Sequence, residues 1–268
     1  MGYKMVFSDM DGTLLRNGTE ISVENLTAIR KAVDKGVEFV LCTGRGVFGV
    51  ERYLEELGLL GRKGYAICQN GATVYDLQTM QPAIRRSFPP EWFAEIAKAA
   101  RELGLELYYY DDRRFMTERP TKQVQKYCKV MRTEMGILEN PLDYDGEFTK
   151  CLASGPREKL TQLREQVRPF LEGRLDTFFS SEIYLEFVRQ GVNKGNALAD
   201  TAEKAGVPLS EVIAIGDSDN DRSMILRAGL GVAVQNAEKD VKAIADYITE
   251  RNCEQNAVAE VIEKFILS

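Results

Sequence analysis

The sequence predicts an α/β protein in which a parallel sheet flanked by helices is interrupted by a second α/β segment. Three observations carry that expectation. Short apolar runs alternate with helix-period stretches from the N-terminus to Asp76 and again after Gly191, the pattern of parallel strands joined by helical crossovers. Two of those runs, residues 6–8 and 211–215, feed directly into acidic loops. Between the two stretches the alternation breaks at Pro82, Pro89 and Pro90, a composition typical of a boundary. Residues 1–82 and 191–268 are therefore expected to form one domain, with 83–190 inserted into it. A chain of 268 residues accommodates both.

Taken in order, the first strand ends in Asp9-Met10-Asp11-Gly12-Thr13. Ser22 then caps a helix running to about Lys35, with Leu26, Ile29 and Val33 on one face and Gly36 as its stop. Residues 37–42 read as a buried strand that runs into Thr43-Gly44-Arg45-Gly46, and the helix beyond turns Phe48, Tyr53, Leu54 and Leu57 toward the core. Two strands flank Gln69-Asn70-Gly71, where Asn-Gly signals a hairpin. In the insertion, Trp92, Phe93, Ile96, Ala99, Ala100 and Leu103 mark a helix, residues 105–110 a strand, and Val124, Tyr127, Cys128 and Met131 another helix. A strand at 148–153 and a helix bearing Leu160, Leu163, Val167 and Phe170 follow, then strands at 175–179 and 183–188, the latter with Ile183, Leu185 and Phe187 on one face. After Gly191 come a helix opened by Asn193-Lys194-Gly195, the strand at 211–215, a helix with Met224 and Ile225, strands near 229–234 and 247–249, and a terminal helix with Val258, Val261, Ile262 and Phe265.

The acidic strand ends are where chemistry is expected. Residues i and i+2 of an extended segment point the same way, so Asp9 and Asp11 converge if the strand geometry persists. Two like charges held together call for a hard divalent cation such as Mg²⁺, and a carboxylate placed there can attack phosphorus while its neighbour transfers protons. Asp and Gly are also ordinary turn residues, so this segment alone fits a surface turn equally well. Gly216-Asp217-Ser218-Asp219-Asn220-Asp221 alters the balance, because three carboxylates and an amide exceed what capping one helix requires. Their spacing does not fit the twelve-residue loop of an EF-hand. Thr43-Gly44-Arg45 offers a hydroxyl and backbone N–H groups to a phosphate, and Lys194 a compact cation; alone, the first is more often a tight turn and the second more often a solvated surface lysine.

Composition narrows the chemistry. The chain has no histidine, which removes Ser-His and Cys-His nucleophile pairs and histidine metal sites, leaving carboxylates, Lys or Tyr for acid–base work. A net charge of −6 disfavours nonspecific binding to nucleic acid or anionic membrane. No apolar run is long enough to span a bilayer and no leader pattern opens the sequence, so a cytosolic protein is expected. Cys42, Cys68, Cys128, Cys151 and Cys253 are odd in number and scattered, as buried thiols rather than disulfides or a zinc site.

Four blocks in order, Asp9-Met10-Asp11-Gly12-Thr13, Thr43-Gly44-Arg45, Asn193-Lys194-Gly195, and Gly216-Asp217 with Asn220-Asp221, resemble the haloacid dehalogenase superfamily, specifically its Cof-type sugar phosphatase branch. The resemblance implies a Rossmann-like core carrying an inserted α/β cap. It implies that Asp9 is the nucleophile and forms an aspartyl-phosphate, while Asp11 protonates the leaving alcohol and then activates water. It further implies Mg²⁺ bound by the Asp9 carboxylate, the Asp11 carbonyl and Asp217, with Asp221 supporting the site, and Thr43, Gly44, Lys194 and Asn220 gripping the phosphoryl oxygens. The expected activity is Mg²⁺-dependent hydrolysis of small soluble phosphomonoesters, sugar phosphates first among them. A phosphomutase of the phosphomannomutase type and a noncatalytic regulator binding a phosphorylated metabolite are the alternatives. Retention of both Asp9 and Asp11 weighs against the regulator.

Overall fold

The computed structural model describes residues 2–131 and 133–268, and within them the chain divides into two compact units. The first comprises residues up to Gly44, Val50–Ile84 and Asn193–Ser268; the second comprises Arg45–Gly49 and Arg85–Val192.

The first unit is built on a parallel sheet whose strands lie, among the described residues, in the order Tyr247–Ile248, Leu230–Ala233, Val212–Gly216, Met5–Ser8 and Glu38–Leu41. Its central strands are mostly apolar because helices cover both faces: Val6, Phe7, Ile213 and Ala214 have no exposed surface. The strand order reverses between Met5–Ser8, which pairs with Glu38–Leu41 on one side, and Val212–Gly216 on the other. At such a switch point the loops beyond the carboxyl ends diverge and open a crevice. The register sets what meets there, since Ser8 is level with both Ile215 and Leu41 and the N–H of Asp9 donates to Ile215 O at 2.9 Å.

Helix Val23–Asp34 starts where Ser22 predicts, with Ser22 Oγ accepting from the Asn25 N–H. Its buried face is rotated from the expected one: Asn25, Ala28, Ile29 and Ala32 are buried, while Leu26 and Val33 are half-buried. Asn25 draws the face round, because its Nδ2 donates to Leu14 O and its Oδ1 accepts from the Ala259 N–H. Tyr53, Leu54 and Leu57 are buried on the short helix Glu51–Leu57. The hairpin at Asn70-Gly71 forms between Tyr65–Cys68 and Thr73–Asp76, with Cys68 level with Thr73. Four residues therefore turn the chain, where the Asn-Gly signal usually marks two.

The second unit is a sheet in the order Met135–Ile137, Phe115–Thr117, Glu106–Tyr110, Lys150–Ser154, Tyr184–Arg189, Leu175–Ser181. Helices Glu91–Glu102 and Arg157–Leu171 cover the face carrying Leu107, Tyr109, Cys151, Leu185 and Phe187. Helix Lys122–Met131 brings Val124, Tyr127 and Cys128 against Tyr108 and Tyr110 on the other; the expectation for the Met131 side chain lies outside the described residues. Phe48 packs in this aromatic cluster and not among the apolar residues of the first unit. Phe170 is exposed, and Leu171 takes the buried position at the end of its helix. Ile183 is exposed as well, because it falls in the turn before Tyr184–Arg189. Cys42, Cys68, Cys128 and Cys151 are buried free thiols, and Cys253 is half-buried.

Candidate active site

Asp9, at the end of the first strand, is buried, and Lys194 Nζ donates to its Oδ1 at 2.6 Å. The same ammonium donates to Asp221 Oδ1 at 2.7 Å, and neither Lys194 nor Asp221 has any exposed surface. Lys194 reaches this point from the first position of helix Lys194–Ala205, whose N-cap Asn193 accepts from the Asn196 N–H. Gly195 lets that helix approach: a Cβ there would stand 2.3 Å from Ser223 O. Asp221 uses its other oxygen to accept from the backbone N–H groups of Asp217 and Ser218, at 2.9 and 3.1 Å, so it shapes the loop that presents Asp217. Thr13 Oγ1 donates to Asp217 Oδ1 at 2.8 Å. Gly12, with φ of +81°, keeps the first loop beside that carboxylate, since a Cβ would lie 2.6 Å from Asp217 Oδ2.

Asp9, Asp217 and Asp221 each bring a carboxylate oxygen to within 4.8 Å of the others. Three carboxylates facing one ammonium leave an excess of negative charge. Burial pushes the Asp9 carboxyl well above its usual range and Lys194 pulls against it, while Asp221 and Asp217 add to the rise. Asp217 is pushed up to about 6, mainly by burial and then by Asp221. Burial alone would lower the Lys194 ammonium, but Asp221 and Asp9 hold it above its ordinary value. Among the described residues, no hydrogen-bond donor reaches the buried Asp9 Oδ2. A buried carboxylate oxygen left bare, in an all-oxygen cluster with excess negative charge, fits a hard divalent cation.

Not every expected residue falls in this cluster. Asp11 is exposed, and its Oδ1 lies 3.9 Å from where a Cβ on Gly18 would stand. The strand ends at Ser8, and the chain turns at once, with the N–H groups of Leu14 and Leu15 donating to Met10 O. The extended geometry that would have aimed Asp9 and Asp11 together does not persist. Thr43 is buried one residue beyond Cys42, whose N–H donates to Ser8 O at 2.8 Å. Asn220 offers Nδ2 to Asn70 Oδ1 at 3.0 Å, and that same oxygen lies 3.1 Å from where a Cβ on Gly44 would stand. Asn70 thus stands between the two loops. In the sequence it signals only a turn, and Thr13, which anchors Asp217, looks like one more turn residue.

With the geometry in place, similarity to known proteins adds the family. A family profile described as haloacid dehalogenase-like hydrolase matches residues 6–262. The chain is 34% identical to the 5-amino-6-(5-phospho-D-ribitylamino)uracil phosphatase YcsE of Bacillus subtilis, over 98% of this chain and 96% of that protein. It is 29% identical to an HMP-PP phosphatase of Serratia proteamaculans, over 99% of this chain and 96% of that protein. A solved haloacid dehalogenase-like hydrolase from Bacteroides thetaiotaomicron superposes with a TM-score of 0.90 at 32% identity, covering 98% of this chain and 99% of that one.

Proposed function

Because the chain belongs to the haloacid dehalogenase-like hydrolases and its relatives are phosphatases, we propose that it is a Mg²⁺-dependent phosphomonoester hydrolase acting on small soluble phosphates in the cytosol, sugar phosphates first among them. The observation that carries this reading is the Asp9 carboxylate, with one oxygen fixed by Lys194 and the other buried without a donor among the described residues. Asp9 attacks phosphorus as the bond to the leaving oxygen breaks, and the Asp11 carboxylic acid gives its proton to that oxygen. The products are an alcohol and an aspartyl-phosphate. Water then attacks the acyl phosphate while the Asp11 carboxylate takes its proton, which returns Asp9 and releases inorganic phosphate.

Mg²⁺ would be held by Asp9, Asp217 and the Asp11 carbonyl, with Asp221 supporting them, and when bound it supplies positive charge that offsets repulsion between the nucleophile and an anionic substrate. Lys194 contributes in the same sense, favouring the ionised form of Asp9 against the effect of burial and meeting a phosphoryl oxygen together with Thr43, Gly44 and Asn220. Within this reading the first unit is the catalytic core and the inserted one the cap.

The test is Asp9→Asn, which keeps the shape of the side chain and removes the nucleophilic charge. It is expected to lose hydrolysis of an aryl phosphate in Mg²⁺ by at least roughly a thousandfold, as removal of a covalent nucleophile does, with its circular dichroism unchanged. Turnover at the wild-type rate would remove Asp9 from the mechanism. Stoichiometric release of inorganic phosphate from a sugar phosphate separates hydrolysis from transfer back to substrate.

A further inference from the structure

Three consecutive buried residues, Gln69, Asn70 and Gly71, have φ of +52°, +57° and +99°. Left-handed backbone at two successive non-glycine residues is uncommon and is unfavourable for a side chain such as that of Gln69. An Asn-Gly pair could close this hairpin in a two-residue turn without Gln69 joining in. The strained loop instead carries the Asn70 side chain away from the hairpin and toward the acidic loop after Val212–Gly216.

Its contacts there are specific. The Asn70 N–H donates to Thr43 O at 2.9 Å, tying it to the first of the two loops assigned to phosphate. Its Oδ1 accepts from Asn220 Nδ2 at 3.0 Å in the second. Asn220 Oδ1 in turn accepts from Ser218 Oγ at 2.8 Å. A carboxamide has two N–H donors and one oxygen. With its oxygen and one N–H engaged, the Asn220 amide has a fixed orientation and one N–H left to give. Gly44 lets Asn70 sit this close, since a Cβ would lie 3.1 Å from its Oδ1 and 3.3 Å from its Nδ2. Gly71 lets the turn itself approach, since a Cβ there would lie 2.6 Å from Asn193 O, the residue before Lys194.

We infer that Asn70 is a positioning residue of the phosphate site, which locks the Asn220 carboxamide with its remaining N–H toward the phosphoryl group and holds Thr43 and Asn220 in one register. This rests on the reading of Asn220 as a phosphate ligand. It adds a residue whose effect passes through another, and so predicts a dependence between the two.

The experiment compares Asn70→Gly, Asn220→Ala and the double variant in the full chain with Mg²⁺, using an aryl phosphate as substrate and inorganic phosphate as inhibitor. Glycine adopts positive φ freely, so the first change removes the amide without disturbing the turn. Asn70→Gly is expected to raise KM and the inhibition constant for phosphate together by roughly tenfold, the scale of one hydrogen bond to a charged group, with kcat nearly unchanged. The double variant should be no weaker than Asn220→Ala alone. Wild-type constants in Asn70→Gly, or a double variant whose loss is the product of the single losses, would overturn the inference while leaving Asn220 as a ligand. Wild-type phosphate affinity in Asn220→Ala would remove Asn220 from the phosphate site and the inference with it.

Discussion

Asp217 carries a pH dependence that a single substitution exposes. Its ordinary pKa is 3.8, and in the folded, metal-free protein burial and then Asp221 push it up to about 6. The folded state therefore binds this proton more tightly than the unfolded one. Stability is fully present below about pH 4 and falls as pH rises through about 6, because ionising a buried carboxyl beside Asp221 is unfavourable. Asp217→Asn keeps an oxygen for the Thr13 hydroxyl and removes the charge. In chelator the variant is expected to match wild type below about pH 4 and to become progressively more stable than it up to about pH 6. A difference between the two proteins that stays flat with pH would mean that burial does not raise this group. At the same scale, Asp9, Asp217 and Asp221 are legible in the sequence because carboxylates stand out at strand ends, whereas Lys194, at a helix start, is singled out only by the family resemblance. The placing of Asp11 depends on where the strand stops. Asn70 is illegible because what it touches, Asn220, is 150 residues away.

At the scale of elements, the readable features are those set by neighbours in sequence. The Ser22 cap, the strand periodicities and the Asn-Gly hairpin all depend on residues a few positions apart. Features set by distant residues escape: the rotation of helix Val23–Asp34 follows from Asn25, a polar residue that carries no hydrophobic signal. Asn25 has no exposed surface, and it joins the Leu14 carbonyl to the N–H of Ala259, 234 residues on. Asn25→Ala leaves a buried acceptor and a buried donor unpaired. The expected cost is about 2–4 kcal/mol, read as a lower urea midpoint with activity retained at low denaturant. An unchanged midpoint would show that water or a shifted helix satisfies both groups. Phe48 illustrates the same division, since its apolar character marks it as buried while only the fold decides in which cluster.

For the whole molecule, the proposed Mg²⁺ site predicts that stability depends on divalent cation. A native state that gathers three carboxylates around one lysine should gain from Mg²⁺, by about 2.7 kcal/mol at a hundredfold excess over Kd. Melts with Mg²⁺ should therefore run several degrees above melts with chelator, and Asp217→Ala should shrink that gap; equal melting in both buffers would argue against the cation. The sheet order has a further consequence for how the chain is made. Lys194, which neutralises Asp9, follows it by 185 residues, and at about 5–20 residues per second a ribosome needs roughly ten to forty seconds to deliver it. Until Val212–Gly216 is synthesised, the strand Met5–Ser8 lacks the neighbour that covers that edge in the folded sheet. A nascent chain in this state presents an apolar edge and an unneutralised carboxylate, so chaperone occupancy on translating ribosomes should persist until that neighbouring strand emerges.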